Sequence, residues 1–249
     1  DGFYDFYTEY TGRGGAVFVG EDCSPTFTDC TFTNNQTEGG TCGICGLDMP
    51  IGLREQPGLS WEIDNFGGAV YCDSNSSVEF KNCTFNDNIA DTNKPTLDPN
   101  DPDSYGNDDD FVGFGGAVAF KDKADVTFDN CTFNGNLGDI GGAMYWTHSD
   151  PLISDCNFTL NSASSGGGIL FVGGSGEIVR SDFSENEATS QFAHGGGICS
   201  LGSNAEIIDC NISNNDSSGS GGGIYISSRD IDGSDLGRGG LLVENCLIV

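Results

Sequence analysis

Apolar residues recur along this chain in short alternating runs, separated by glycine, asparagine and aspartate. The stretch Gly115–Asn136, GGAVAFKDKADVTFDNCTFNGN, shows the unit: a glycine pair, two alternating runs, then CTF and a closing Asn. Runs this short with a period of two predict strands, and the turn residues between them predict corners. Glycine pairs are read at Gly14, Gly67, Gly115, Gly141, Gly167, Gly196 and Gly222. A second landmark follows at Cys30, Cys83, Cys131, Cys156, Ser181, Cys210 and Cys246, at distances of 16, 16, 16, 15, 14, 14 and 24 residues. Two residues beyond each landmark stands Phe or Ile, and three further on, in six units, stand Asn35, Asn88, Asn136, Asn161, Asn186 and Asn215.

A unit with three short apolar runs cannot bury its own faces, but stacked units can share one continuous core. The repeat therefore predicts an all-β fold, a parallel β-helix of about seven coils, right-handed by the usual chirality of parallel crossovers. Equivalent residues then lie about 4.8 Å above one another, so the chain should build ladders of Gly, Phe, Cys and Asn. Stacked Asn amides can satisfy one another and the backbone at a buried corner. Residues 1–13 read as an N-terminal cap or added strand, and residues 14–249 as the β-helix. Long spacings place insertions at 37–66 and 89–114, leaving the same corner of adjacent coils, and a third at 227–239. Long loops grouped on one edge of a scaffold are where such folds carry function. The apolar end, CLIV, gives the expectation that the chain continues or abuts another subunit.

The GGAV runs at Gly14, Gly67 and Gly115, GGAM at Gly141, and the in-phase FxxN set resemble the repeats of the chlamydial polymorphic outer-membrane proteins and related surface proteins. The resemblance spans the chain from Gly14 onward. It implies a β-helix passenger, extracellular or at the cell surface, with an adhesive role. Three later units read GGGI instead, and no segment corresponds to an outer-membrane barrel.

Composition narrows the partners. A formal charge of −29 repels nucleic acid and anionic membranes. No apolar run approaches the length of a membrane-spanning helix, and Asp1 does not open a signal peptide, so a secreted form would be a mature or trimmed chain. Eleven cysteines, an odd number, suit a disulfide-permitting compartment with at least one thiol left over. The landmark cysteines read as buried free thiols. Cys23, Cys42, Cys45 and Cys72 lie off that register and read as disulfide candidates pinning the first insertion. Among seven Asn-X-Ser/Thr sequons, Asn75, Asn82, Asn130, Asn157 and Asn211 are glycosylation candidates, whereas Asn35 and Asn215 fill ladder positions. Dense oxygen ligands at Asp98, Asp101, Asp103 and Asp108, and the D-x-D-G spacing of Asp230, Asp232 and Asp235, make calcium the candidate cation.

In the first strand of each coil both alternating faces are apolar. Phe18, Tyr71, Tyr145 and Phe171 form the set expected to face outward as an assembly stripe. Paired carboxylates beside a base, as a polysaccharide lyase or hydrolase needs, do not stand out, and the nine Lys and Arg are scattered. The leading expectation is a non-enzymatic extracellular structural or adhesive protein, a surface or filament component that assembles with itself or with other surface proteins. The alternatives are a β-helix polysaccharide lyase or glycoside hydrolase, and a non-catalytic module that binds glycans.

Overall fold

A computed structural model describes residues 12–38, 65–91, 112–229, 236 and 239–249. They form a parallel β-helix of seven coils, with no helical segment among the described residues. Three seven-stranded sheets run the length of the stack. The first begins at Val17–Val19 and ends at Ile224–Ser227; the second runs from Thr26–Thr28 to Leu242–Glu244; the third runs from Thr31–Thr33 to Leu247–Ile248. A fourth, six-stranded sheet of short strands runs from Gln36–Glu38 to Asp216–Ser217.

The corners are made by residues that tolerate left-handed backbone. Just before each landmark stand Asp29, Asn82, Asn130, Asp155, Arg180, Asp209 and Asn245, all with φ between 48° and 55°. Short Asx side chains bear this conformation better than branched ones, which explains why Asp and Asn hold six of the seven positions. The landmark side chain then closes the corner. Cys83, Cys156 and Cys210 donate their thiols to the carbonyl two residues back, at 3.3, 3.1 and 3.3 Å. Ser181 does the same with its hydroxyl at 3.0 Å, so Cys and Ser perform one task there.

The lumen is filled by ladders of like residues. Phe32, Phe85, Phe133, Phe158 and Phe183 stack in one column, with successive ring planes within 7° of parallel. At the next corner, the backbone N–H and the side-chain amide of Asn136 both donate to Asn161 Oδ1, at 3.0 and 2.9 Å. The same pattern links Asn35 to Asn88, Asn88 to Asn136, Asn161 to Asn186 and Asn186 to Asn215.

The structure corrects the phase of the later coils. The glycines equivalent to Gly141 are Gly166, Gly195 and Gly221, each with positive φ, and not the second glycine of each triplet. Tyr145 consequently pairs with Leu170, and Trp146 with Phe171. Phe171 points into the lumen and stacks on Trp146 at 4.4 Å, so it leaves the outward stripe and Leu170 takes its place. The coil also starts earlier than Gly14, because Gly12–Arg13 pairs with Asn65–Phe66.

Candidate functional site

The first two insertions are rooted side by side. The chain leaves the second coil at Asp91, directly paired with Glu38, where it leaves the first. It returns through Asn65–Phe66 and Gly113–Phe114, which also pair with each other. Residues 37–38, 65–66, 89–91 and 113–114, inside the expected insertions, therefore belong to regular strands. At the second return, Asp139 Oδ2 accepts the Gly113 N–H at 2.9 Å, while the Asp139 and Ile140 N–H groups donate to the Gly113 carbonyl.

An aromatic column braces these roots. The residue just before the first glycine of each coil forms a ladder that opens with Arg13, Phe66, Phe114 and Ile140. Phe66 and Phe114 stack at 5.0 Å; Phe66 packs on Tyr71 at 5.5 Å and Phe114 on Tyr145 at 4.5 Å. The Arg13 guanidinium lies 5.4 Å from the Tyr71 ring centre and 3.7 Å from the Asp73 carboxylate. Tyr71 is 1% exposed, and burial, reinforced by Asp73, pushes its phenol above the ordinary range. Further up, Leu170, Val172, Cys199 and Leu201 form a second apolar cluster outside the lumen, with Ile140, Tyr145, Tyr225 and Leu236 against it.

This packing corrects the expected assembly stripe. Phe18 is 51% exposed, but Tyr71 is buried, because the ladder one corner away folds its side chains over that face. The arrangement is a half-buried aromatic brace at the roots of both insertions, most open at Phe18 and closed over Tyr71. The signal for the brace is present in the sequence: the position before the glycine pair reads Arg, Phe, Phe, Ile in the first four coils.

The remaining candidates fall in several places. Asn82 and Asn130 are exposed at left-handed corners, and their amides chain to Asp29: Asn130 donates to Asn82 at 2.8 Å, and Asn82 to Asp29 at 3.0 Å. Asn157, exposed, and Asn211, half-buried, point outward from the third sheet, and Asn157 Oδ1 accepts from the Thr159 hydroxyl at 2.8 Å. These four candidates therefore gather on one side of the stack. Asn75 sits apart, at the corner between the first and second sheets, with its amide 3.5 Å from Glu21.

Cys72 is overturned as a disulfide partner for an insertion. Its side chain is buried in the lumen, in register with Val19 and Phe120, and its thiol is free and pushed well above its ordinary pKa by burial. Cys23 is exposed, and its thiol is free. Cys42, Cys45, Asp98, Asp101, Asp103, Asp108, Asp230, Asp232 and Asp235 lie outside the described residues. Among the described residues, no three His, Cys, Asp or Glu side chains group as metal ligands.

A family model described as right-handed beta helix region matches residues 6–179 and 116–249. No curated protein and no solved structure matches the chain.

Proposed function

The chain belongs to the right-handed beta-helix family, and from that premise we propose that it is a non-enzymatic extracellular protein with a structural and adhesive role, a component of a surface or filament. One observation carries this reading: two long segments leave and re-enter a rigid solenoid at directly paired positions, Glu38 beside Asp91 and Phe66 beside Phe114. Segments anchored in this way keep a fixed relation to each other at their bases, which lowers the ordering cost of engaging one partner with both. The aromatic brace supports the same reading, because it stiffens the wall at the roots of both segments. Calcium held by the acidic stretches around Asp98–Asp108 and Asp230–Asp235 is part of the proposal, as is glycosylation at Asn75, at the corner between the first and second sheets.

The test is surface display. Antibodies against the chain should label intact producing cells, and replacing residues 39–64 by a short glycine linker should abolish attachment while the far-ultraviolet spectrum stays that of a β-helix. Labelling that appears only after permeabilisation would count against the proposal. So would cleavage of acidic polysaccharides by the purified chain, which would make the family's enzymes the better guide.

A further inference from the structure

The third sheet presents an outward face unlike the rest of the molecule. Over the first six coils its two outward rows run in strict register from Thr31 and Thr33 to Asn211 and Ser213, and in the seventh coil the first row ends on the exposed Leu247. Of the twelve side chains over six coils, five are Thr, four Asn and two Ser; only Asp182 is charged. In a chain with 38 acidic residues and a net charge of −29, that neutrality is a segregation. All twelve are exposed or half-buried.

The face is also flat. Neighbouring strands ordinarily rotate by about 20–25° relative to one another. The Phe rings on the inner side of these strands rotate by only 7°, 3°, 5° and 1° between successive coils, from Phe32 to Phe183. The rows therefore form a planar lattice, with groups about 4.8 Å apart along the stack and about 6.6 Å apart along each strand. The side chains are held in place as well. Thr is stiff at χ1, the Thr159 hydroxyl donates to Asn157 at 2.8 Å, and it lies 3.4 Å from the Ser184 hydroxyl.

We propose that this face binds crystalline water, that is, the surface of ice. Ice presents uncharged O–H donors and acceptors that repeat every few ångströms in two directions. A rigid, flat, neutral array of hydroxyls and amides repeats on the same scale. Each group engages a surface water without reorganising, so many weak contacts add with little entropic cost. A crystalline polysaccharide fits less well, because sugar rings stack on aromatic platforms and every Phe of these strands turns inward. The inference rests on this face alone and is independent of the insertions.

The experiment grows polycrystalline ice slowly from a dilute solution of the full chain and measures protein in the ice and in the residual liquid. Wild type should concentrate in the ice and restrain its recrystallisation. Thr132→Lys, at the centre of the lattice, should lower the partition by about tenfold, as should Thr84→Lys. Glu177→Lys, on the exposed part of the neighbouring sheet, should leave it unchanged. Circular dichroism and melting curves establish that each variant is folded, and either lattice variant suffices if the other is not. Exclusion of wild type from ice overturns the proposal, as does equal partition of wild type and the folded lattice variants. Thr132-dependent retention on crystalline cellulose or chitin, without an effect on ice, would assign the face to a polysaccharide instead.

Discussion

At the scale of single residues, the asparagine corner carries the most concentrated dependence. Asn161 Oδ1 receives two hydrogen bonds from Asn136, its own backbone and side-chain amides donate two to Asn186, and its Nδ2 also donates to the Phe133 carbonyl at 3.0 Å. All of this is buried. Asn161→Ala would strand the Asn136 N–H and one hydrogen of its side-chain amide, whose other hydrogen still reaches the Phe85 carbonyl at 3.0 Å, each stranded donor costing about 1–3 kcal/mol. The expected loss is roughly 3–5 kcal/mol by urea unfolding. Asn35→Ala, at the half-buried start of the ladder, where the side chain only donates to Asn88, should cost about 1 kcal/mol. Equal losses at the two sites would mean that burial of the ladder is not what makes it strong. The ladder was legible in the sequence because an amide recurring at one position of every coil has few other physical uses. Its direction was not: from Asn88 to Asn186 each amide donates forward to the next Asn and back to a Phe carbonyl of the preceding coil, a choice made by backbone geometry that no spacing reveals.

At the scale of elements, phase is the feature that sequence spacing read imperfectly, and the glycines explain why. In the first four coils a single pair marks the corner, and Gly115 and Gly141 take positive φ as its first member. In the later coils a triplet offers two pairs, and reading the second slips the register by one residue, which exchanges the faces of a strand. The slip leaves no trace in Ile169–Val172, ILFV, because both faces of that strand are apolar and buried. Only the pairing of Trp146 with Phe171 resolves it. The second glycine has a different task from the first. A Cβ on Gly142 would collide with the carbonyl oxygen of Gly167 and come within 2.7 Å of the Ser162 backbone. Backbone cannot give way there, so Gly142→Ala should prevent accumulation of soluble, folded protein. Gly20→Ala, where the nearest atom is a Phe18 ring carbon at 3.6 Å, should change stability by no more than about 1 kcal/mol. Similar melting temperatures for the two variants would contradict the close coil-to-coil packing.

At the scale of the whole molecule, the thiol ladder gives the stack a pH dependence with a definite sign. Burial pushes the thiols of Cys83 and Cys210 up to about 11. The unfolded chain releases these protons near the ordinary thiol value of about 8.5. Between those values the folded state holds more protons than the unfolded state, so stability falls as pH rises through the window. Below it the contribution is complete and constant. The urea midpoint should therefore be level from about pH 7 to 8 and decline from about pH 9 to 11. Ser181 already shows that a hydroxyl can close the same corner, donating to the Val179 carbonyl and accepting the Cys156 N–H at 3.1 Å. Cys210→Ser should accordingly keep most of the neutral-pH stability while lessening the alkaline decline, since a serine hydroxyl does not titrate there. Cys210→Ala should lessen the decline too, but from a starting point lower by about 1 kcal/mol, because the Ile208 carbonyl loses the thiol and keeps only the Arg180 N–H, at 3.0 Å. If the alkaline decline survives Cys210→Ser and Cys83→Ser together, these two thiols are not its source. The buried Cys72 thiol, also held above its ordinary range, becomes the group to replace next.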